Sequence, residues 1–141
     1  MDKENIFSMI SEMSEEELKD LARNTSDVEA LNILAENENY KVREEVAGNK
    51  NTPVEKLAVL AQDKHWWVRQ TIAENRNTSS DILATLAKDE SWFIRNIVAK
   101  HENTPTDILV MLSKDEYPSV CTAANKALKE RRMKSQQKQE R

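Results

Sequence analysis

A chain of 141 residues, 38% apolar and 33% charged, holds enough material for one ordinary domain, and a single glycine leaves almost nothing for tight turns or phosphate-cradling loops. The net charge of −4 conceals an acidic head and a basic tail: residues 1–39 carry 3 basic and 11 acidic residues, residues 40–125 carry 11 and 12, and residues 126–141 carry 7 and 2. This balance disfavours a function built on neutralising phosphates, no apolar run can cross a bilayer, and Cys121, the one cysteine, forms neither an internal disulfide nor a metal cluster.

In chain order, Asn5 to Met13 and the run Ser14-Glu15-Glu16-Glu17-Leu18 read as two capping helices out of register with the remainder of the chain, the second opened by a capping box. A repeat then sets in. Three blocks superimpose without a gap: VREEVAGNKNTPVEKLAVLAQD from Val42, VRQTIAENRNTSSDILATLAKD from Val68 and IRNIVAKHENTPTDILVMLSKD from Ile94, a step of 26 residues. A fourth opens at Val120 with Cys121 in place of arginine, and Ser26, Leu31, Leu34 and Ala35 fit the same columns one step earlier.

Each block predicts two short helices. Thr52 and Glu55 have the spacing of a capping box with Pro53 at the first helical position, and Ser26 with Glu29, Thr78 with Asp81, and Thr104 with Asp107 repeat it. Behind these caps Leu57, Leu60 and Ala61 form an apolar stripe, as do Leu83, Leu86 and Ala87, then Leu109, Leu112 and Ser113. The second helix is expected from about Trp66 to Asn75, with Val68, Ile72 and Ala73 buried, matched by Ile94, Val98 and Ala99. Neither helix has enough apolar surface to fold alone, so neighbouring units must share a core. The last helix, from near Ser119, continues through Ala127, Leu128 and Arg131-Arg132, and beyond Met133 the polar KSQQKQER is expected to fray. The organisation is therefore an N-terminal cap at 1–25, a repeat array at 26–128, and a helix extension with a basic tail at 129–141.

The pattern VR..VA.N..TP...L..LA.D, as it stands from Val42 to Asp63, resembles the leucine-rich repeat variant, a relative in spirit of HEAT and armadillo units. The resemblance covers roughly three quarters of the chain. It implies an all-α fold, a right-handed α-solenoid of about four two-helix units with helical caps, in which a long and a shorter helix alternate, used mainly for protein interactions. The repeat here is slightly longer than in that family, and the cysteines that some members use for an iron–sulfur centre are missing, so no cofactor is carried over.

Two columns stand out. Arg43, Arg69 and Arg95 recur at one position, with Asp63 and Asp89 six residues before two of them and Asp115 six before Cys121. Such columns tie one unit to the next or present a cationic stripe to a partner. Tyr40, Trp66 and Trp92 occupy one repeat position, with Trp67 and Phe93 at the next. Adjacent residues at a helix start cannot all face the core, so part of this row should lie on the surface, where it forms either a binding ridge or a cover for the seam between helices. The histidines, His65 and His101, fall in different columns without an acid, nucleophile or metal-ligand spacing beside them.

The expectation is a cytoplasmic, non-catalytic module without metal or cofactor that binds another protein through Tyr40, Trp66, Trp67, Trp92 and Phe93, with Arg43, Arg69 and Arg95 locking the stack or fixing polar contacts. Two alternatives remain: a small inhibitor of a larger nuclease or defence protein, of the kind mobile elements encode, and a nucleic-acid-binding solenoid using the basic tail. An aromatic ridge would serve a homodimer equally well.

Overall fold

A computed structural model describes residues 2–140, and every regular element among them is an α-helix. The chain divides into two compact units, Met1–Asn75 and Arg76–Arg141. The first holds α1 (Lys3–Ser11), α2 (Glu15–Asn24), α3 (Val28–Leu34), α4 (Tyr40–Gly48), α5 (Val54–Leu60) and α6 (Trp66–Glu74). The second holds α7 (Ser80–Leu86), α8 (Trp92–Lys100), α9 (Thr106–Leu112) and α10 (Pro118–Gln139). Within the first unit α2 packs on α4 and α4 on α6, while α1 packs on α3; within the second, α8 packs on α10, with α7 and α9 beside them.

The two helices of each repeat are 7 and 9 residues long, so the expected alternation of a long with a short helix is replaced by two short ones. Helices of this length are unstable alone, and packing of their apolar columns holds them. Val42, Val68, Ile94 and Val120 are buried to within 1%, as are Val46, Ile72, Val98 and Ala124. In the other helix of the repeat, Leu31, Leu34, Leu60, Leu83, Leu86, Leu109 and Leu112 are buried, each worth about 1.5–3 kcal/mol of transfer free energy. Leu57 is only half-buried.

The polar signals at the helix starts act differently from the capping boxes expected in the repeats. The residue before each short helix is Asp27, Pro53, Ser79 or Pro105, one position later than predicted. Asp27 accepts from the amides of Glu29 and Ala30, and Ser79 from that of Ile82, whereas the prolines supply no side-chain cap. The threonines point the other way. Thr52 Oγ1 donates to the carbonyl of Val46 at 2.7 Å and Thr104 Oγ1 to that of Val98 at 2.6 Å, each a second donor beside the amide of Asn49 or His101 at 3.1 Å, so the threonines reinforce the ends of α4 and α8. Thr52, Thr78 and Thr104 are all buried, which a first-turn cap facing solvent would not be. The box predicted at Ser14 and Glu17 does form, with both reciprocal bonds at 3.2 Å.

Asparagines then tie successive helices together. Asn49 Nδ2 donates to the carbonyls of Ala22 at 2.8 Å and Thr25 at 2.9 Å, and Asn75 Nδ2 reaches the carbonyl of Ala47 at 3.4 Å. Thus α2, expected out of register, occupies the place of a repeat helix beside α4. In the second unit His101 replaces the asparagine. Its Nδ1 accepts from the amide of Asn103 at 3.0 Å, as Asn49 Oδ1 accepts from Asn51, while Asn103 Nδ2 donates to the carbonyls of Arg76 and Thr78. The tail also departs from expectation: α10 is helical through Gln139 rather than frayed beyond Met133, with residues 132–140 exposed.

Candidate binding surface

The arginine column lies inside the fold. Arg43 donates from Nε and Nη2 to the two carboxylate oxygens of Asp63 at 2.8 and 3.0 Å, and from Nη1 to the carbonyls of Asn37 and Glu38. Arg95 repeats this with Asp115 at 2.8 and 3.1 Å and with the carbonyls of Asp89 and Glu90. Arg69 Nη1 donates to the carbonyl of Asp63 at 2.8 Å. Cys121 takes the same role in the fourth block, its Sγ donating to the carbonyl of Asp115 at 2.6 Å. Each of these four side chains therefore bonds the carbonyl six residues before it, and Arg43 and Arg95 bond the carboxylate twenty residues after.

Arg43 and Arg69 are 7% and 8% exposed, and the Arg95 side chain 11%. With their donors engaged internally, these arginines hold the repeats rather than face a partner, and the cationic-stripe alternative is set aside. Asp115 is held below the usual carboxylate range chiefly by the hydrogen bonds from Arg95. Burial pushes Asp63 up, but the bonds from Arg43 and from the amide of His65 outweigh it, and its carboxyl is also lowered.

The aromatic row lies outside. Trp66-Trp67 and Trp92-Phe93 are the first two residues of α6 and α8, and Val68 and Ile94, the third, are the first to reach the core. No preceding helical turn covers the first two positions. Trp66 is 48% exposed, Trp67 41%, Trp92 40% and Phe93 44%, while Tyr40 is half-buried.

Each unit carries its own cluster of rings. In the first, Tyr40 stacks on His65 with centroids 3.7 Å apart and planes within 3°, His65 lies 5.9 Å from Trp66, and Trp66 leans on Trp67 at 4.8 Å. The indole N–H of Trp67 donates to Glu44 Oε1. In the second, Trp92 stacks on Tyr117 at 5.7 Å and meets Phe93 edge-on at 5.8 Å, and the Arg95 guanidinium lies 5.6 Å from the centre of the Tyr117 ring.

Sequence reasoning missed His65 and Tyr117 as members of these clusters. They share a column with Asn39 and Ser91, and each stacks on the ring 25 residues earlier, one short of the repeat period. A ring at that offset was the available signal. His65 also serves the backbone: its Nδ1 accepts from the amide of Trp67 at 3.1 Å, as Asn39 Oδ1 accepts from that of Lys41. Among the described residues no group of three His, Cys, Asp or Glu side chains is placed to hold a metal ion, and no helix is long and apolar enough to cross a membrane.

The helices, their 26-residue columns and the polar latches that recur with them define an all-α helical-repeat fold. No family model matches the sequence, and no curated protein matches it. Among solved structures the chain is similar to one described as a leucine-rich repeat variant with a novel repetitive protein structural motif. The two share 21% identity with a TM-score of 0.47, over 89% of this chain and 60% of that one.

Proposed function

We propose that this chain is a non-catalytic module that binds another protein through the exposed rings at the starts of α6 and α8. The carrying observation is that all three tryptophans stand at least 40% exposed, each in contact with other rings that hold it in place. Large aromatic side chains bring apolar area to an interface at small entropic cost, and ordered exposed rings are the usual makings of a hot spot. The buried arginine ladder supplies the rigidity behind them.

Capture of partners by the tagged protein, at low and high salt and after nuclease treatment, tests this reading. Exposed aromatic clusters that bind a protein retain it at high salt and after nuclease. A second reading, nucleic-acid binding, draws on the exposed Lys129, Arg132, Lys134 and Lys138 of α10 and predicts retention that washes off with salt.

A further inference from the structure

In the first unit a cleft of about 280 Å³ opens beside the aromatic cluster, lined by Lys19 of α2, Tyr40, Lys41, Glu44 and Glu45 of α4, and Trp67 of α6. Its charges are not equally matched. Lys19 pairs with Glu16 at 2.9 Å, Lys41 with Glu15 at 3.7 Å, and Glu45 with Arg23 at 2.7 Å. Glu44 is the exception. It is half-buried, and among the described residues no cation lies within ion-pair distance of its carboxylate; the bond it accepts is the one from the Trp67 indole.

We propose that this cleft receives an arginine side chain of the partner protein, its guanidinium paired with the Glu44 carboxylate and lying against the Trp67 ring. The inference rests on the protein-binding reading above and adds the chemistry of the partner's anchor. A guanidinium fits because it is planar, forks onto a carboxylate, and stacks on an indole face, whereas an ammonium offers a compact, strongly hydrated charge. At about 280 Å³ the cleft has room for one long side chain and lies at the lower end of the range for small-molecule pockets. The surroundings favour a cation: residues 1–39 carry 11 acidic against 3 basic residues, which steers basic partners toward this unit. Burial pushes the Glu44 carboxyl above the usual range, Glu45 and Glu74 add to the rise, and the Trp67 indole and His65 oppose it. A carboxylate in that setting gains when a cation arrives.

The test uses the isotope-labelled full chain, observed by NMR at the three indole N–H resonances while N-acetyl-arginine amide is added. Trp67→Phe assigns the Trp67 signal. The expected result is a saturable shift of that signal, larger than any produced by N-acetyl-lysine amide or sodium chloride at equal ionic strength. In Glu44→Gln, which keeps an oxygen for the indole, apparent affinity should fall by about tenfold or more. A shift that grows linearly with concentration, survives in Glu44→Gln, or is matched by the lysine compound overturns the proposal. These outcomes are independent of whether the tryptophans retain a protein partner, so the anchor and the binding surface fail separately.

Discussion

Arg43 and Asp63, twenty residues apart, meet in a two-pronged ion pair whose side chains are 8% and 10% exposed. Breaking such a pair leaves a buried charge uncompensated, and Asp63→Ala should cost about 3–5 kcal/mol. Arg43→Lys preserves the charge but loses the fork and the carbonyl bonds, so it should also destabilise clearly. Urea unfolding of both variants checks this; a loss below about 1 kcal/mol for Asp63→Ala would place the ladder among weak surface pairs.

The same carboxylates set the acid limit. Asp63 and Asp115 are held below their ordinary value of 3.8, so each stabilises the fold above that pH and ceases to do so as pH falls through its lowered value. Glu44, raised above 4.5, has the opposite sign: its contribution is complete below 4.5 and is lost as pH rises through its folded value. Melting temperature should therefore drop steeply below about pH 3.8, and Asp63→Asn with Asp115→Asn should flatten that limb. Glu44→Gln should gain on the wild type as pH rises past 4.5. An unchanged acid limb in the aspartate variants would refute the assignment.

Thr52 closes the end of α4 rather than the start of α5, and this separates two substitutions that a capping box would link. Thr52→Val removes one of the two donors to the buried Val46 carbonyl, which keeps the Asn49 amide at 3.1 Å, and should cost about 1 kcal/mol. Glu55→Ala, on an exposed first turn with no reciprocal bond, should stay within about 0.5 kcal/mol. Chemical denaturation of the pair distinguishes the two geometries: comparable losses would restore the box.

Much of the fold was legible because a repeat states its core several times over. The 26-residue period placed Val42, Val68 and Ile94 in one buried column, and the apolar spacing marked both helices of each block. What escaped was direction. A threonine before a helix reads as a cap for the amides ahead, yet the last-turn carbonyl six residues back is the partner its hydroxyl takes once the chain has turned. The aspartates stand six residues before the arginines in the sequence, but that spacing brings only the carbonyl into reach, while the carboxylates of Asp63 and Asp115 serve the arginine twenty residues earlier. At the candidate surface the exposed tryptophans followed from helix geometry. His65 and Tyr117 did not, since stacking between repeats falls one residue short of the period that revealed the array.

His101 Nδ1 accepts from the amide of Asn103, the bond that Asn49 Oδ1 makes with Asn51 and that an asparagine could restore, while Asn103 Nδ2 donates to the carbonyls of Arg76 and Thr78. His101→Asn should therefore be nearly neutral, within about 0.5 kcal/mol. Asn49→Ala removes a side chain that donates to Ala22 and Thr25 from a buried site and should cost about 1–3 kcal/mol. Thermal melts of the two variants decide it; a large loss for His101→Asn would give the imidazole a part that its bond to Asn103 does not explain.

The most direct test of the central claim, that the exposed rings bind and the buried ladder supports, is parallel measurement of folding and partner retention in the Trp66→Ala/Trp92→Ala double variant. The expected result is a cooperative melt close to that of the wild type together with loss of the protein retained by the wild type at high salt. Full retention by a folded double variant, or its failure to fold, would contradict the claim and return the tryptophans to a structural role.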